Sequence, residues 1–141
     1  MAGIPGEGVS HQFIGRCVTE GVAPYRWRLV EDFGYQSQAG NILIVPAGFE
    51  TNFASVPRLL WPILPLSDAV YDKAAVLHDY AVSNRKLICY SLMDCHRLFR
   101  EVLLFSGVGQ VKAGVMYAGV VAFCGVFVQI AFLRAKIARN H

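Results

Sequence analysis

The sequence predicts an α+β fold in which a small antiparallel β-sheet in the N-terminal half packs with three or four helices. Up to about residue 52, short segments alternate apolar with polar residues, which is the pattern of half-buried strands. From about residue 56 the apolar residues recur at helical spacing instead. The 141 residues suffice for one domain with its own core, and 55% of them are hydrophobic against 16% charged. The chain is therefore too apolar to be disordered.

The strand region contains one clear hairpin signal. Two segments alternate apolar with polar residues, Phe13–Thr19 and Tyr25–Val30. After them, the turn-forming residues 37–41 separate two further strand-like stretches, 29–35 and 41–45, which predicts a β-hairpin. Pro46 ends the second of these strands because proline cannot donate to a strand ladder.

Proline and small polar residues mark the first helix boundaries. A short helix is expected from Pro57 to Trp61, since proline suits a first helical turn and two more prolines follow. A second helix is expected from Ser67 or Asp68 to about Val82. The polar residues that follow end it.

Two more helices complete the predicted fold. Ser91 opens a helix that runs to about Phe105, and the sequence from Ser91 to Asp94 matches a capping box with Asp in place of the usual Glu. Glycines end that helix, and the last helix is expected over 111–138.

The C-terminal helix is predicted to be long and apolar. No charged residue occurs over 113–133, a length that suffices to span a bilayer, and basic residues follow it, which would place the C-terminus inside. Gly114, Ala118 and Ala122 repeat at four-residue spacing, which lets helices approach closely and suggests a partner interface. The alternative is a helix that packs on the domain or in an oligomer. The expected organisation is a flexible arm over 1–9, a domain over 10–112 and this helix over 113–141.

Charge and cysteine usage exclude some functional classes. The net charge is only +3 and the basic residues are scattered, which does not fit a nucleic-acid binder. The four cysteines show no CxxC or metal-finger spacing, so we expect reduced thiols in a cytoplasmic chain. The N-terminus lacks the basic start and apolar block of a signal peptide.

His78, Asp79 and Asp94 are the candidate catalytic and metal-binding residues. His78 and Asp79 are adjacent on the second helix, and an antiparallel third helix would bring Asp94 to nearly the same height. A divalent metal held by these side chains could activate water for hydrolysis. Without a metal, His78 could act as a general base.

A loop before these helices supplies candidate substrate-binding groups. Thr51, Asn52, Ser55 and Arg58 lie between the last strand and the Pro57 helix, where they would stand over the His-Asp pair. Such residues are also ordinary turn and cap residues.

Each candidate has a structural alternative. His78 shares a helix face with apolar residues, so it can be a core histidine with a satisfied hydrogen bond. Asp94 can serve the capping box, and Arg97 can pair with it. The three segments around Thr51, His78 and Asp94 would then pin the hairpin loop onto two antiparallel helices.

Taken together, these segments resemble a family of phage and prophage proteins known as DUF1353. The similarity covers roughly residues 25–120 and is carried by three groups of residues: Val45–Arg58 with Trp61, then Ala75–Tyr80, and then Asp94 with Phe99 and Met116-Tyr117. The family usually has Thr-Asp where this chain has Thr51-Asn52, so a carboxylate is lost there. The resemblance implies a phage origin and a compact α+β domain, and it supplies no activity.

Three functions follow as expectations. The first is a phage accessory or virion protein, associated with tail or particle, that binds phage structural proteins or itself through the C-terminal helix. The second is a small, metal-dependent hydrolase of cell-wall or nucleotide substrates. The third is a lysis-associated membrane protein that uses residues 113–133 in the inner membrane. Under the first two, the protein is expected in the host cytoplasm or the virion.

Overall fold

A computed structural model describes residues 11–24, 26–51 and 68–140, without the side chains of residues 68–69 and 125–132. The described strands are β1 Gln12–Gly15, β2 Thr19–Ala23, β3 Arg26–Leu29, β4 Phe33–Gln36, β5 Ile42–Val45 and β6 Glu50–Thr51. The described helices are α1 Asp68–Ser83, α2 Leu92–Phe105 and α3 Gln110–Arg139. The predicted α+β class is confirmed.

The strands form two small antiparallel sheets rather than one. Their orders are β1-β4-β5 and β2-β3-β6. The stretch predicted as one strand, Phe13–Thr19, is divided between the sheets, because the chain bends at Gly15 with a φ of +75°. A Cβ at Gly15 would lie 2.7 Å from the carbonyl oxygen of Asp32, which is too close, so the bend also requires a residue without a side chain.

The predicted hairpin is confirmed as β4 and β5. Tyr35 pairs with Leu43 across it, and the Ser37 amide donates to the Asn41 carbonyl at 2.8 Å to close the turn. Leu43 is buried while its neighbour Ile44 is exposed, so one face of β5 meets the core. The strand ends before Pro46, as predicted.

The helices pack in chain order, α1 on α2 and α2 on α3. The predicted α1 and α2 boundaries are confirmed within one or two residues. The capping box of α2 is present: the Asp94 amide donates to the Ser91 hydroxyl, the Ser91 amide donates to the Asp94 carboxylate, and each bond is 3.0 Å long. The helix predicted from Pro57 to Trp61 lies outside the described residues.

The last helix, α3, differs from the expected long apolar helix. It has 30 residues, and Ala113, Met116 and Val120 on one of its faces are buried. All of residues 133–140 are exposed, with Lys136 and Arg139 in the last turn. Among the residues searched, which are those the structure describes, no helix is long and apolar enough to cross a bilayer. The expectations of a long apolar helix over 113–141 and of a transmembrane span over 113–133 are therefore not supported.

Candidate functional site

One end of the candidate site is a contact between the second sheet and α1. Thr51 lies in β6, where it pairs with Trp27 of β3, and its side chain is buried. The Thr51 hydroxyl donates a hydrogen bond to Oδ2 of Asp79 on α1. The Asp79 side chain keeps 20% of its surface exposed. This bond ties a strand of only two residues to the first helix.

The centre of the site is a pair of buried histidines that joins α1 to α2. His78 and His96 are each 1% exposed, and Nε2 of His78 lies 2.9 Å from Nδ1 of His96. The two rings are stacked, and the edge of the Phe99 ring packs against His78 at a centroid distance of 5.4 Å. Both imidazoles are thus enclosed by protein.

Burial also settles the charge of one of these rings. Desolvation, followed by the neighbouring His78, lowers the pKa of His96 to about 4. His96 is therefore neutral at neutral pH. On the other side of the His78 ring, Nδ1 lies 3.8 Å from Oδ1 of Asp79.

A cysteine from α3 completes the group. Burial, and then the carboxylate of Asp79, raise the pKa of the Cys124 thiol. Cys124 is not in a disulfide. One donor atom each from His78, His96 and Cys124 lie within 4.8 Å of one another, so all three helices contribute to one cluster. Histidine nitrogen and cysteine sulfur are donors that zinc prefers.

Asp94 has a different environment. The backbone amide and then the hydroxyl of Ser91 hold its carboxyl pKa below the usual value, and Arg97 at 3.5 Å adds to that effect. Asp94 and Arg97 line an open surface groove of about 840 Å³ whose lining includes neither His78 nor Asp79. In this structure the carboxylate serves the start of α2.

The structure therefore brings together three of the predicted site residues: Thr51, His78 and Asp79. Asn52, Ser55 and Arg58 lie outside the described residues. Sequence reasoning missed His96 and Cys124 as members of the cluster. For His96 a signal existed, since it recurs at helical spacing with Phe99 and Leu103 on the buried face of α2.

The fold and the site together define an α+β protein in which a buried polar cluster joins three helices to the second of two small sheets. The family model described as "Protein of unknown function (DUF1353)" matches residues 27–120. The chain belongs to the DUF1353 family. The match includes β3 to β6, α1, α2 and the first part of α3.

Two relatives come from Sinorhizobium fredii (strain NBRC 101917 / NGR234). The chain is 32% identical over 99 residues to "Uncharacterized protein y4jT", which covers 69% of this chain and 28% of that protein. It is 33% identical over 97 residues to "Uncharacterized protein y4iH", which covers 67% of this chain and 39% of that protein. The chain thus spans well under half the length of each relative. No solved structure matches it.

Proposed function

We propose that the protein is a phage accessory or virion protein, associated with tail or particle, that binds protein partners through the outer face of α3. The observation that carries this proposal is an exposed apolar stripe along that helix. We call it the outer stripe, and it consists of Val111, Val115, Ala118, Ala122, Leu133 and Ile137, all exposed.

The described members of the outer stripe lie on one face of the helix in two parts, residues 111–122 and 133–137, and the exposed Lys136 falls within the same arc. At about 100° per residue, its six members fall within an arc of about 100°. The buried residues Ala113, Met116 and Val120 lie on the opposite side, against the domain. The helix is thus apolar on two opposite faces, and the domain covers one of them. A helix with this pattern is expected to be buried on both faces, and exposed apolar patches mark interaction sites.

The small residues favour a helical partner. Ala118 and Ala122 belong to the outer stripe, and Gly114 lies half-buried at its edge. Small residues at four-residue spacing let a second helix approach closely. The proposed partner is an apolar helix, either of a phage structural protein or of a second copy of the chain.

The polar cluster supports a non-enzymatic role. Thr51 is bonded to Asp79 and His78 to His96, and both histidines are enclosed. These bonds connect β6 to α1 and α1 to α2, and such connections stabilise the packing of these elements.

The test combines particle purification with a charge placed in the outer stripe. Wild-type protein and the variants Ala118→Arg and Ala47→Arg are expressed in a host that carries the phage genome, and purified particles and complexes are analysed by mass spectrometry. Ala47 is an exposed turn residue and serves as the control. Wild type and Ala47→Arg are expected in particles or in a larger complex, and Ala118→Arg is expected to be lost.

Two outcomes would contradict the proposal. One is a wild-type protein that is monomeric by light scattering and absent from particles and complexes. The other is an Ala118→Arg variant that assembles like wild type. A wild-type dimer that Ala118→Arg dissociates would identify the second copy as the partner.

A small, metal-assisted hydrolase is the second candidate, because one observation favours it. The Asp79 carboxylate is partly exposed beside His78, so a substrate could reach the edge of the cluster. The test measures cell-wall and nucleotide hydrolysis by wild type and by His78→Gln, with thermal unfolding of both. Activity that His78→Gln removes at unchanged stability would support this candidate; no activity on either substrate class would remove it.

A further inference from the structure

We propose that His78, His96 and Cys124 form a zinc site that fastens α1, α2 and α3 together. The three residues come from three different helices, and one donor atom of each lies within 4.8 Å of the others. The site shares His78 with the metal site expected from the sequence, and it replaces Asp94 by His96 and Cys124.

The three side chains would occupy three corners of a tetrahedral zinc centre, and a water molecule would take the fourth. With Zn–N bonds of about 2.0–2.1 Å and Zn–S bonds of about 2.3 Å, two nitrogens lie about 3.3 Å apart and a nitrogen and a sulfur about 3.6 Å. The nitrogens of His78 and His96 are 2.9 Å apart, so the pair would open by about 0.4 Å to admit the ion. The cysteine sulfur would move inward by about 1.2 Å at most, which a side-chain rotation provides.

The donor set selects the metal. Two imidazoles and a thiolate suit zinc, whereas magnesium and calcium prefer oxygen ligands. On binding, the Cys124 thiol releases its proton to solvent and forms the S–Zn bond. Each bound imidazole is neutral and carries its one proton on the ring nitrogen that faces away from the ion, which for His78 is Nδ1.

Asp79 completes the charge balance. The ion and one thiolate leave a charge of +1, and the Asp79 carboxylate makes the buried group neutral. Oδ1 of Asp79 lies 3.8 Å from Nδ1 of His78, so a shift of about 0.8 Å would let the carboxylate accept a hydrogen bond from that nitrogen and orient the ring. Thr51 in turn holds the other oxygen of that carboxylate. The second sheet is thereby linked to the metal through two residues.

The zinc site does not depend on the outer stripe. Cys124 lies about 160° around α3 from Ala122, so the two features use opposite faces of the helix. Loss of partner binding would therefore leave metal binding intact, and loss of metal binding would leave the outer stripe in place. Failure of one proposal is thus distinguishable from failure of the other.

The experiment titrates the purified, metal-free full chain with Co²⁺ as a spectroscopic substitute for zinc. We expect one Co²⁺ ion bound per chain and a sulfur-to-cobalt charge-transfer band in the near ultraviolet. Added Zn²⁺ should displace the Co²⁺ and abolish the band. Cys124→Ser should lose the charge-transfer band, and Asp79→Asn should weaken the affinity by about 10–100-fold. Cys89→Ser and His11→Gln are the matched controls and should bind like wild type.

A second measurement on the wild type avoids any effect of a variant on folding. Cysteine alkylation is followed by mass spectrometry with and without Zn²⁺. Zinc should slow the alkylation of Cys124 and leave that of the exposed Cys89 unchanged. The proposal is overturned if cobalt gives no charge-transfer band, if the band persists in Cys124→Ser, or if zinc leaves the alkylation of Cys124 unaltered.

Discussion

The bond between Thr51 and Asp79 gives the sharpest test of how the second sheet is attached to the helices. Thr51→Val keeps the β-branched shape and replaces the hydroxyl by a methyl group, so the hydrogen bond to the Asp79 carboxylate is lost. Bonds to charged groups contribute about 1.5–3 kcal/mol. Asp79 is 20% exposed and water can partly replace the hydroxyl, so we expect a loss of about 1–2 kcal/mol.

That loss is measurable by denaturant unfolding and by calorimetry. For a domain of this size it corresponds to a decrease in Tm of about 3–8 °C. Thr19→Val is the matched control, because Thr19 lies in β2 of the same sheet and has no side-chain hydrogen bond within the described residues. The control should stay within about 0.5 kcal/mol of wild type. Equal stability of the two variants would refute the role given to Thr51.

Three further predictions concern other parts of the fold. Ser91→Ala removes the cap of α2 and should lower the free energy of unfolding by about 1 kcal/mol in urea titrations. The pKa of His96 is depressed to about 4, so its contribution to the stability of the metal-free protein is complete above about pH 6.5 and is lost as the pH falls toward 4. The free energy of unfolding measured across that range should show this decline. In His96→Gln the decline should be smaller. Gly34→Ala would place a Cβ 2.7 Å from the backbone oxygen of Leu43 and should cost about 1–3 kcal/mol in thermal unfolding, whereas an unchanged Tm would contradict the close strand pairing.

The parts of the fold that depend on local chemistry could be predicted from the sequence. The turn residues 37–41 lie between two strand-like stretches, and the structure forms a hairpin there. The capping box from Ser91 to Asp94 needs only residues three apart, and the bonds that it predicts are both present. Asp94 was also a plausible catalytic residue, because a carboxylate near the start of a helix can either cap that helix or act in catalysis.

The parts that depend on tertiary contact could not be predicted. His96 and Cys124 are separated by almost the whole length of α2 and part of α3, and only the packing of three helices brings them beside His78. The division of the strands into two sheets depends on the bend at Gly15, which alternation of apolar and polar residues does not reveal. The buried face of α3 was also hidden, because an apolar sequence does not state which of its faces the domain covers.

The central claim is that the outer stripe of α3 is the binding surface of this protein. The most direct measurement is site-specific photocrosslinking in phage-producing cells, with the crosslinker placed at Ala122 in the outer stripe and, in a second variant, at Ala47 as the exposed control. One discrete crosslinked product is expected from position 122 and none from position 47. The same products from both positions, or no product from position 122, would contradict it.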